Sequence, residues 1–231
     1  MKTSNIIITA FAILIVSSML FLFIDAKDHK KKMENNFTYK EYPLHSFKVV
    51  VAEKGSDLHI DRSESTIIKI EFAKDKKKPS KLYKVSNDTL YVYGGLKMFV
   101  TCKNVTAIIG NKPFWVGVNN FAPDSLTIRM NGGQLAFNVY VEKTYKINQK
   151  LINLGIIAND SASIEIKNAI LNNLTVRSDN AVVTNFCNIK RLNAKLINKA
   201  GFISLDSIES SIIKKDISSQ VQINNQIINY N

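Results

Sequence analysis

Beyond residue 46 the chain alternates apolar and polar positions in short runs. "FKVVVAE" places Phe47, Val49 and Val51 on one face; "DLHIDR" does the same with Leu58 and Ile60, and "TIIKIEF" with Ile68, Ile70 and Phe72. A two-residue period among β-branched and aromatic residues marks half-buried strands. "KDKKKPSK" (Lys74 to Lys81) interrupts the series as a charged, proline-marked loop. "SNDTLYVYGG" then reads as a turn, a strand over Leu90 to Tyr93, and a glycine stop. "MFVTCKNVTAIIG", "FWVGV", "LTIRM" and "LAFNVYV" continue the alternation. No stretch after residue 24 shows the 3.6-residue period of an amphipathic helix. The expectation is an all-β fold.

A longer period overlies the short one. Ala162, Ala181, Ala200 and Ser219 lie nineteen residues apart, as do Ile164, Val183, Phe202 and Val221, and again Ile170, Ile189, Ile208 and Ile227. A period near twenty means one supersecondary unit per repeat, none able to bury its apolar face alone. If each repeat is one coil of a parallel β-helix, equivalent residues stack about 4.8 Å apart. Small residues then take the tight corner, and the three columns form the core. Asp160, Asp179 and Asn198, each one place before Ser161, Asn180 and Lys199, suit the turn at that corner. A leucine-rich repeat competes: "LINLGIIAN" (Leu151 to Asn159) fits L-x-x-L-x-L-x-x-N, and "LNNLTVRSD" (Leu171 to Asp179) fits with Asp for Asn. "IKRLNAKLI" breaks that frame, and the rest of each repeat, such as "SIEIK", reads as another strand. The pattern favours the β-helix.

Upstream, Ile6 to Ile24 form an apolar run broken only by Thr9, Ser17 and Ser18. As a helix it matches the thickness of a bilayer's hydrocarbon core. A cleaved leader is disfavoured because "FLFIDA" puts Phe23 or Ile24 where a cleavage site needs small residues. No cysteine near the end of the run invites lipidation. The expected organisation is a short head (1–5), a transmembrane signal anchor (6–24), a polar stalk (25–45), a β-rich half (46–140) and repeats of about nineteen residues (141–231). Lysines are denser after the span than before it, which pulls toward a cytoplasmic domain. The export-like character of the β-rich part pulls the other way, and the expectation is an extracytoplasmic, periplasmic placement at the cell membrane.

The openings "SFKVVVAEKGSDLHI", "TIIKIEF" and "YKVSNDTLYVYG", followed by stacked short strands, also carry a resemblance. From about Ser46 to Asn231 the chain resembles the GIN domain family of auto-transporter adhesin head modules, found in secreted and envelope proteins of Bacteroidetes-like bacteria. The resemblance implies a right-handed parallel β-helix-like solenoid, here with antiparallel N-terminal strands and one preceding transmembrane helix. The chain departs from the family in having only nine glycines, with Asn or Ala at corners where members often carry Gly. It departs again in its uncleaved anchor. The family brings no catalytic or ligand residues to carry over.

Charge narrows the partner. The 231 residues carry a net charge of +12, which suggests lipid headgroups, anionic polysaccharide or nucleic acid. The basic loop offers Lys74, Lys76, Lys77, Lys78, Lys81 and Lys84 for an anionic surface. Nucleic acid is disfavoured, because Tyr83, Tyr91 and Tyr93 read as ordinary strand residues, not a stacking platform. The expected partners are the membrane and an anionic polysaccharide or envelope protein. Asp57, His59 and Asp61 share a strand face and are weak metal candidates, since the polar outer face of an antiparallel strand accounts for them without a metal. No cofactor is expected. No G-x-S-x-G elbow occurs, and the carboxylates available for sugar cleavage are Asp160, Asp179, Glu165 and Asp206. Phe114, Trp115 and Phe121 read as core or end-cap residues, Cys102 and Cys187 as free buried thiols. The "NVT" and "NLT" sequons at Asn104 and Asn173 matter only on a eukaryotic secretory route. The function expected is a non-enzymatic, membrane-tethered β-helix module for adhesion, surface interaction or scaffolding in a bacterial envelope. The alternatives are a carbohydrate-active enzyme on the same scaffold and a cytoplasm-facing membrane sensor.

Overall fold

The computed structural model describes residues 13–25, 37–73, 82–121, 123–138, 150–224 and 226–227. Its strands are β1 (Phe37–Pro43), β2 (Val49–Ala52), β3 (Asp57–Arg62), β4 (Ile67–Ala73), β5 (Tyr83–Ser86), β6 (Thr89–Val92) and β7 (Lys97–Cys102). Next come β8 (Ala107–Asn111), β9 (Trp115–Asn119), β10 (Ser125–Asn131), β11 (Gln134–Phe137), β12 (Lys150–Asn159), β13 (Ser163–Ile166) and β14 (Ile170–Asp179). The last are β15 (Val182–Asn185), β16 (Ile189–Ile197), β17 (Gly201–Ser204), β18 (Ile208–Lys215), β19 (Gln220–Ile223) and β20 (Gln226–Ile227). The chain divides into two compact units, residues 1–39 with 71–77 and residues 40–70 with 78–231.

In the first unit, residues 13–25 are helical, and the large apolar side chains from Ile13 to Ile24 are exposed. Residues 6–12 of the expected anchor lie outside the described residues. Among the described residues no helix is long and apolar enough to cross a membrane. The expected stalk also changes: its part after residue 36 is a strand, because "FTYKEYP" is rich in β-formers. Within this unit Tyr39 donates its hydroxyl to Glu71 Oε2 at 3.0 Å, and Thr38 Oγ1 reaches the Phe72 carbonyl at 3.5 Å.

The described strands form two sheets. One has eleven strands in the order β1-β4-β7-β3-β9-β11-β13-β15-β17-β19-β20; the other has nine, in the order β18-β16-β14-β12-β10-β8-β2-β6-β5. From β8 to β19 successive strands alternate between the sheets, each pairing in parallel with the strand two places on. The N-terminal strands depart from the antiparallel expectation: β3 pairs in parallel with β7 and β9, and β2 with β6 and β8. β4 on β7, β5 on β6 and β20 on β19 pair antiparallel.

The register explains the repeat. Met98, Leu58, Val116, Leu135, Ile164, Val183, Phe202 and Val221 stand opposite one another on eight neighbouring strands, and all are buried. Each such side chain contributes about 1.5–3 kcal/mol when fully buried. Ala162, Ala181, Ala200 and Ser219 are likewise buried where the chain turns between sheets. The pairing passes residue 140 without interruption, since β10 pairs with β12 and β11 with β13.

The third column of the repeat does not hold. Ile189 is buried, but Ile170 is 46% exposed, and it is Leu171 that stands opposite Ile189. The cause lies in the corners between sheets. Asp160 and Ser161 both adopt positive φ at the turn after β12, and Asn198 and Lys199 at the turn after β16, whereas Asn180 alone does so at the turn after β14. That turn is one residue shorter, and the corner before β14, where Asn168 has positive φ, is one longer (Ile166 to Leu171 against Asn185 to Ile189), so the register steps by twenty from Asn159 to Asp179 and by eighteen from Asp179 to Ile197. A one-place slip reverses the face of a strand residue. Ile208 is half-buried, and the side chain of Ile227 lies outside the described residues. In β2 the fully buried pair is Val50, opposite Leu90 and Ile108, and Ala52, opposite Val92 and Gly110; of the expected pair Val51 is also buried and Val49 is half-buried. Along the corner, the amide of Asn111 donates to Glu53 Oε2 at 3.3 Å, Asn131 to Asn111 at 3.4 Å and Asn159 to Asn131 at 3.1 Å. Stacked asparagines thus satisfy one another from strand to strand, a role that needs register more than glycine.

Candidate functional site

The outward face of β7, β3 and β9 gathers the most varied chemistry. In β3, Leu58 and Ile60 point into the core, which turns Asp57, His59 and Asp61 outward. The register then supplies their neighbours. Asp57 lies between Lys97 and Trp115, His59 between Phe99 and Gly117, and Asp61 between Thr101 and Asn119. The His59 and Phe99 rings stack with centroids 5.1 Å apart at an interplanar angle of 22°. Lys97 Nζ sits 5.3 Å over the same Phe99 ring, within reach of a cation–π attraction. On the other side, Gly117 leaves space that a side chain would take from Trp115 Nε1 and His59 Nδ1.

His59 Nε2 lies 3.3 Å from Asp57 Oδ1. Burial pushes the imidazole below its ordinary pKa, Asp57 pulls it up, and Lys97 adds to the depression. A neutral ring at neutral pH follows, stacked flat and half-covered. The three residues proposed for a metal do not converge. Asp57 and Asp61 are four residues apart on one strand, about 13 Å along it. Asp57 turns to His59, while Asp61 accepts from Asn120 Nδ2 at 3.3 Å. Among the described residues no group of three or more His, Cys, Asp or Glu is placed to hold a metal ion.

The carboxylates considered for sugar cleavage are dispersed in role. Asp160 is a corner residue with positive φ. Asp179 accepts from Asn198 Nδ2 at 2.8 Å, and Glu165 pairs with Lys167 at 2.6 Å. Asp206 lies between β17 and β18. Cys102 and Cys187 are free and buried. Burial raises their thiols to about 12 and about 11 respectively, with Asp61 adding to the first, so neither is a nucleophile at neutral pH. The aromatic cluster splits three ways: Phe121 is buried, Trp115 half-buried, and Phe114 is 72% exposed. Of the basic loop, Lys84 is exposed on β5, and Lys74, Lys76, Lys77, Lys78 and Lys81 lie outside the described residues. A shallow groove of about 500 Å³ also opens on the outer face of β15, β17 and β19 above Gly201, lined by Val182, Lys199, Ile203 and Gln220. Alternation in "DLHID" marks its outward face, but Lys97, Phe99 and Trp115 join it only through strand register.

No known family profile matches the chain, and no curated protein does. Among solved structures it is similar to a putative adhesin from Bacteroides fragilis NCTC 9343, at 16% identity and a TM-score of 0.50, over 81% of this chain and 96% of that one. It is also similar to a putative lipid binding protein from Parabacteroides distasonis ATCC 8503, at 12% identity and a TM-score of 0.46. A putative adhesin from Parabacteroides merdae ATCC 43184 matches at 12% identity and a TM-score of 0.41; both cover 81% of this chain and 96% of the other. The first of these likenesses shows a shared fold and nothing finer.

Proposed function

We propose that the chain is a non-enzymatic surface-interaction module of a bacterial envelope, of the GIN domain type, with its two sheets wound as a right-handed parallel β-helix. The observation that carries this reading is the flat outer face of β7, β3 and β9, where Phe99, His59, Trp115 and Lys97 occupy adjoining register positions. Aromatic side chains with a polar rim are the usual anchors of a contact surface. The acidic groups nearby are engaged in local pairs and not aimed at one point, which suits binding and not bond cleavage. The name of the Bacteroides fragilis structure, a putative adhesin, agrees with it.

Residues 6–24 serve as the tether in this proposal, with the strand-built part outside the cytoplasm. The sequence run supports the tether, as do the apolar side chains that residues 13–24 leave exposed. The test is binding of the detergent-purified chain to envelope preparations, with Phe99→Ala/Trp115→Ala as the variant. A loss of about tenfold or more in affinity is expected from two aromatic anchors; retention of full affinity overturns the assignment of the face. Protease digestion of spheroplasts tests placement: cleavage of the strand-built part is expected, and its protection contradicts an outside location.

A further inference from the structure

The outward face of the second sheet carries a feature that the nineteen-residue repeat does not show. Arg129 on β10 stands opposite Ile157 on β12, which stands opposite Arg177 on β14, followed by Lys195 on β16 and Lys214 on β18. The four cations are exposed; Arg191, also exposed, stands between Asn173 and Ser210, four residues from Lys195 and about 13 Å from it along β16. Neighbouring strands are about 4.8 Å apart, so Arg177, Lys195 and Lys214 are successive like charges at that spacing, and Arg129 to Lys214 spans about 19 Å. Like charges directly opposite each other destabilise a sheet. Among the described residues none of these cations is ion-paired, and no carboxylate occupies the outward positions of β10, β12, β14, β16 or β18 that share their rows.

We propose that this row is a binding track for a linear acidic polysaccharide whose repeating unit bears carboxylates. Four cations in one register row across five strands, broken only by Ile157 on β12, match an extended polyanion and not a single small ion. On one side the next row carries Thr127, Thr175 and Asn193 and the one beyond it Asn153 and Asn173, with Asn173 Nδ2 donating to Asn153 Oδ1 at 2.7 Å; on the other side lie Asn131, Asn159 and one carboxylate, Asp179, which accepts from Asn198 Nδ2. Such groups exchange hydrogen bonds with sugar hydroxyls. No aromatic residue occupies these outward rows, so the stacking platform that single-stranded nucleic acid uses is missing from them. A lipid surface would be met by inserting apolar side chains, and here Ile157 and Ile212 stand singly among polar neighbours. The track lies on a different sheet from the aromatic face and does not depend on it.

The test uses the full chain in neutral detergent with polygalacturonate as the acidic polymer. Dextran, vesicles of phosphatidylglycerol in phosphatidylcholine, and a single-stranded oligonucleotide are compared with it. The wild type is expected to bind polygalacturonate above the other three, with affinity falling as salt rises. Arg177→Gln/Lys195→Gln/Lys214→Gln is expected to lose about tenfold or more at low salt, with a shallower salt dependence. Lys195→Arg is expected to bind like the wild type. Lys48→Gln/Lys54→Gln/Lys84→Gln, which removes as many charges elsewhere, is expected to change affinity less than about twofold; unchanged melting temperatures show that each variant folds. Equal binding by the triple row variant, equal loss in the control, or preference for vesicles or oligonucleotide overturns the track. If the wild type binds envelope preparations but not polygalacturonate, the track fails and the surface-interaction reading stands. Binding to neither overturns both.

Discussion

Replacing Leu171 and Ile170 one at a time with alanine separates the register of the sheets from the simple repeat of the sequence. The nineteen-residue period puts Ile170 in a core column with Ile189 and Ile208, but in the fold Leu171 fills the buried place opposite Ile189. Leu171 is 0% exposed and Ile170 is 46% exposed. Truncating a buried leucine removes its transfer energy and leaves a cavity, a cost of about 2–5 kcal/mol. An exposed isoleucine on the outer face changes stability by about 0.5 kcal/mol or less. For a chain of this size the difference becomes a drop of ~4–20 °C in melting temperature for Leu171→Ala against ~2 °C or less for Ile170→Ala. Thermal melts followed by far-ultraviolet circular dichroism measure both, and urea melts with an unchanged slope confirm that the same cooperative unit is being read. Stacked repeats also permit local unravelling, so amide exchange in β14 and β16 is expected to rise in Leu171→Ala alone. If Ile170→Ala costs as much as Leu171→Ala, the derived register is wrong.

Three further outcomes follow from particular groups. Hydrogen bonds from Ser219, from the Asn198 backbone N–H and from Ser218 hold the Asp216 carboxyl at about 2. A depressed carboxylate stabilises the fold above its unfolded pKa near 3.9, and that contribution is lost as pH falls through about 2; carboxyl NMR titration should place the Asp216 midpoint near the lower value, and the melting difference from Asp216→Asn should shrink across this window. Thiol-specific labelling at pH 8 should leave Cys102 and Cys187 unmodified until urea unfolds the chain, because thiols at about 12 and about 11 expose only on the order of 10⁻³ thiolate or less; prompt native labelling would show that they are not buried. Gly133 has φ +79°, and a side chain there would collide with the Pro113 carbonyl, whereas a Cβ at Gly155 meets only Thr127 Oγ1 at 3.7 Å. Gly133→Ala should therefore destabilise by about 1 kcal/mol or more and Gly155→Ala should not, as thermal melts will show.

Much of the fold is legible in local alternation. Leu58 and Ile60, or Ile68, Ile70 and Phe72, declare their buried face within a single strand, and the Ile164, Val183, Phe202 column survives because the strands of that sheet keep a constant step of nineteen. The face of Ile170 is not legible, since it depends on how many residues the corners on either side of β14 use. Nor is the placement of β3 between β7 and β9, because chain neighbours are not sheet neighbours there. The same limit hid the sites. Asp57, His59 and Asp61 announce a common face, but Phe99 and Trp115 reach it from remote segments. The cations Arg129, Arg177, Lys195 and Lys214 follow no constant spacing in the chain. The lysine loop stands out in the sequence because its charges are adjacent, whereas the row across the sheet is adjacent only in space.

Strands stack so that outward residues of successive rungs form continuous rows. Paired cysteines measure this directly, because the two native thiols are buried. Glu165 stands opposite Thr184, and Thr184 opposite Ile203. Positions on adjacent strands, about 4.8 Å apart, lie within disulfide reach, and positions two strands apart do not. Mild oxidation of Glu165→Cys/Thr184→Cys should give an intramolecular bridge by mass spectrometry, and Glu165→Cys/Ile203→Cys should remain reduced. A bridge in the second pair with none in the first would contradict the stacking and the contact surfaces derived from it.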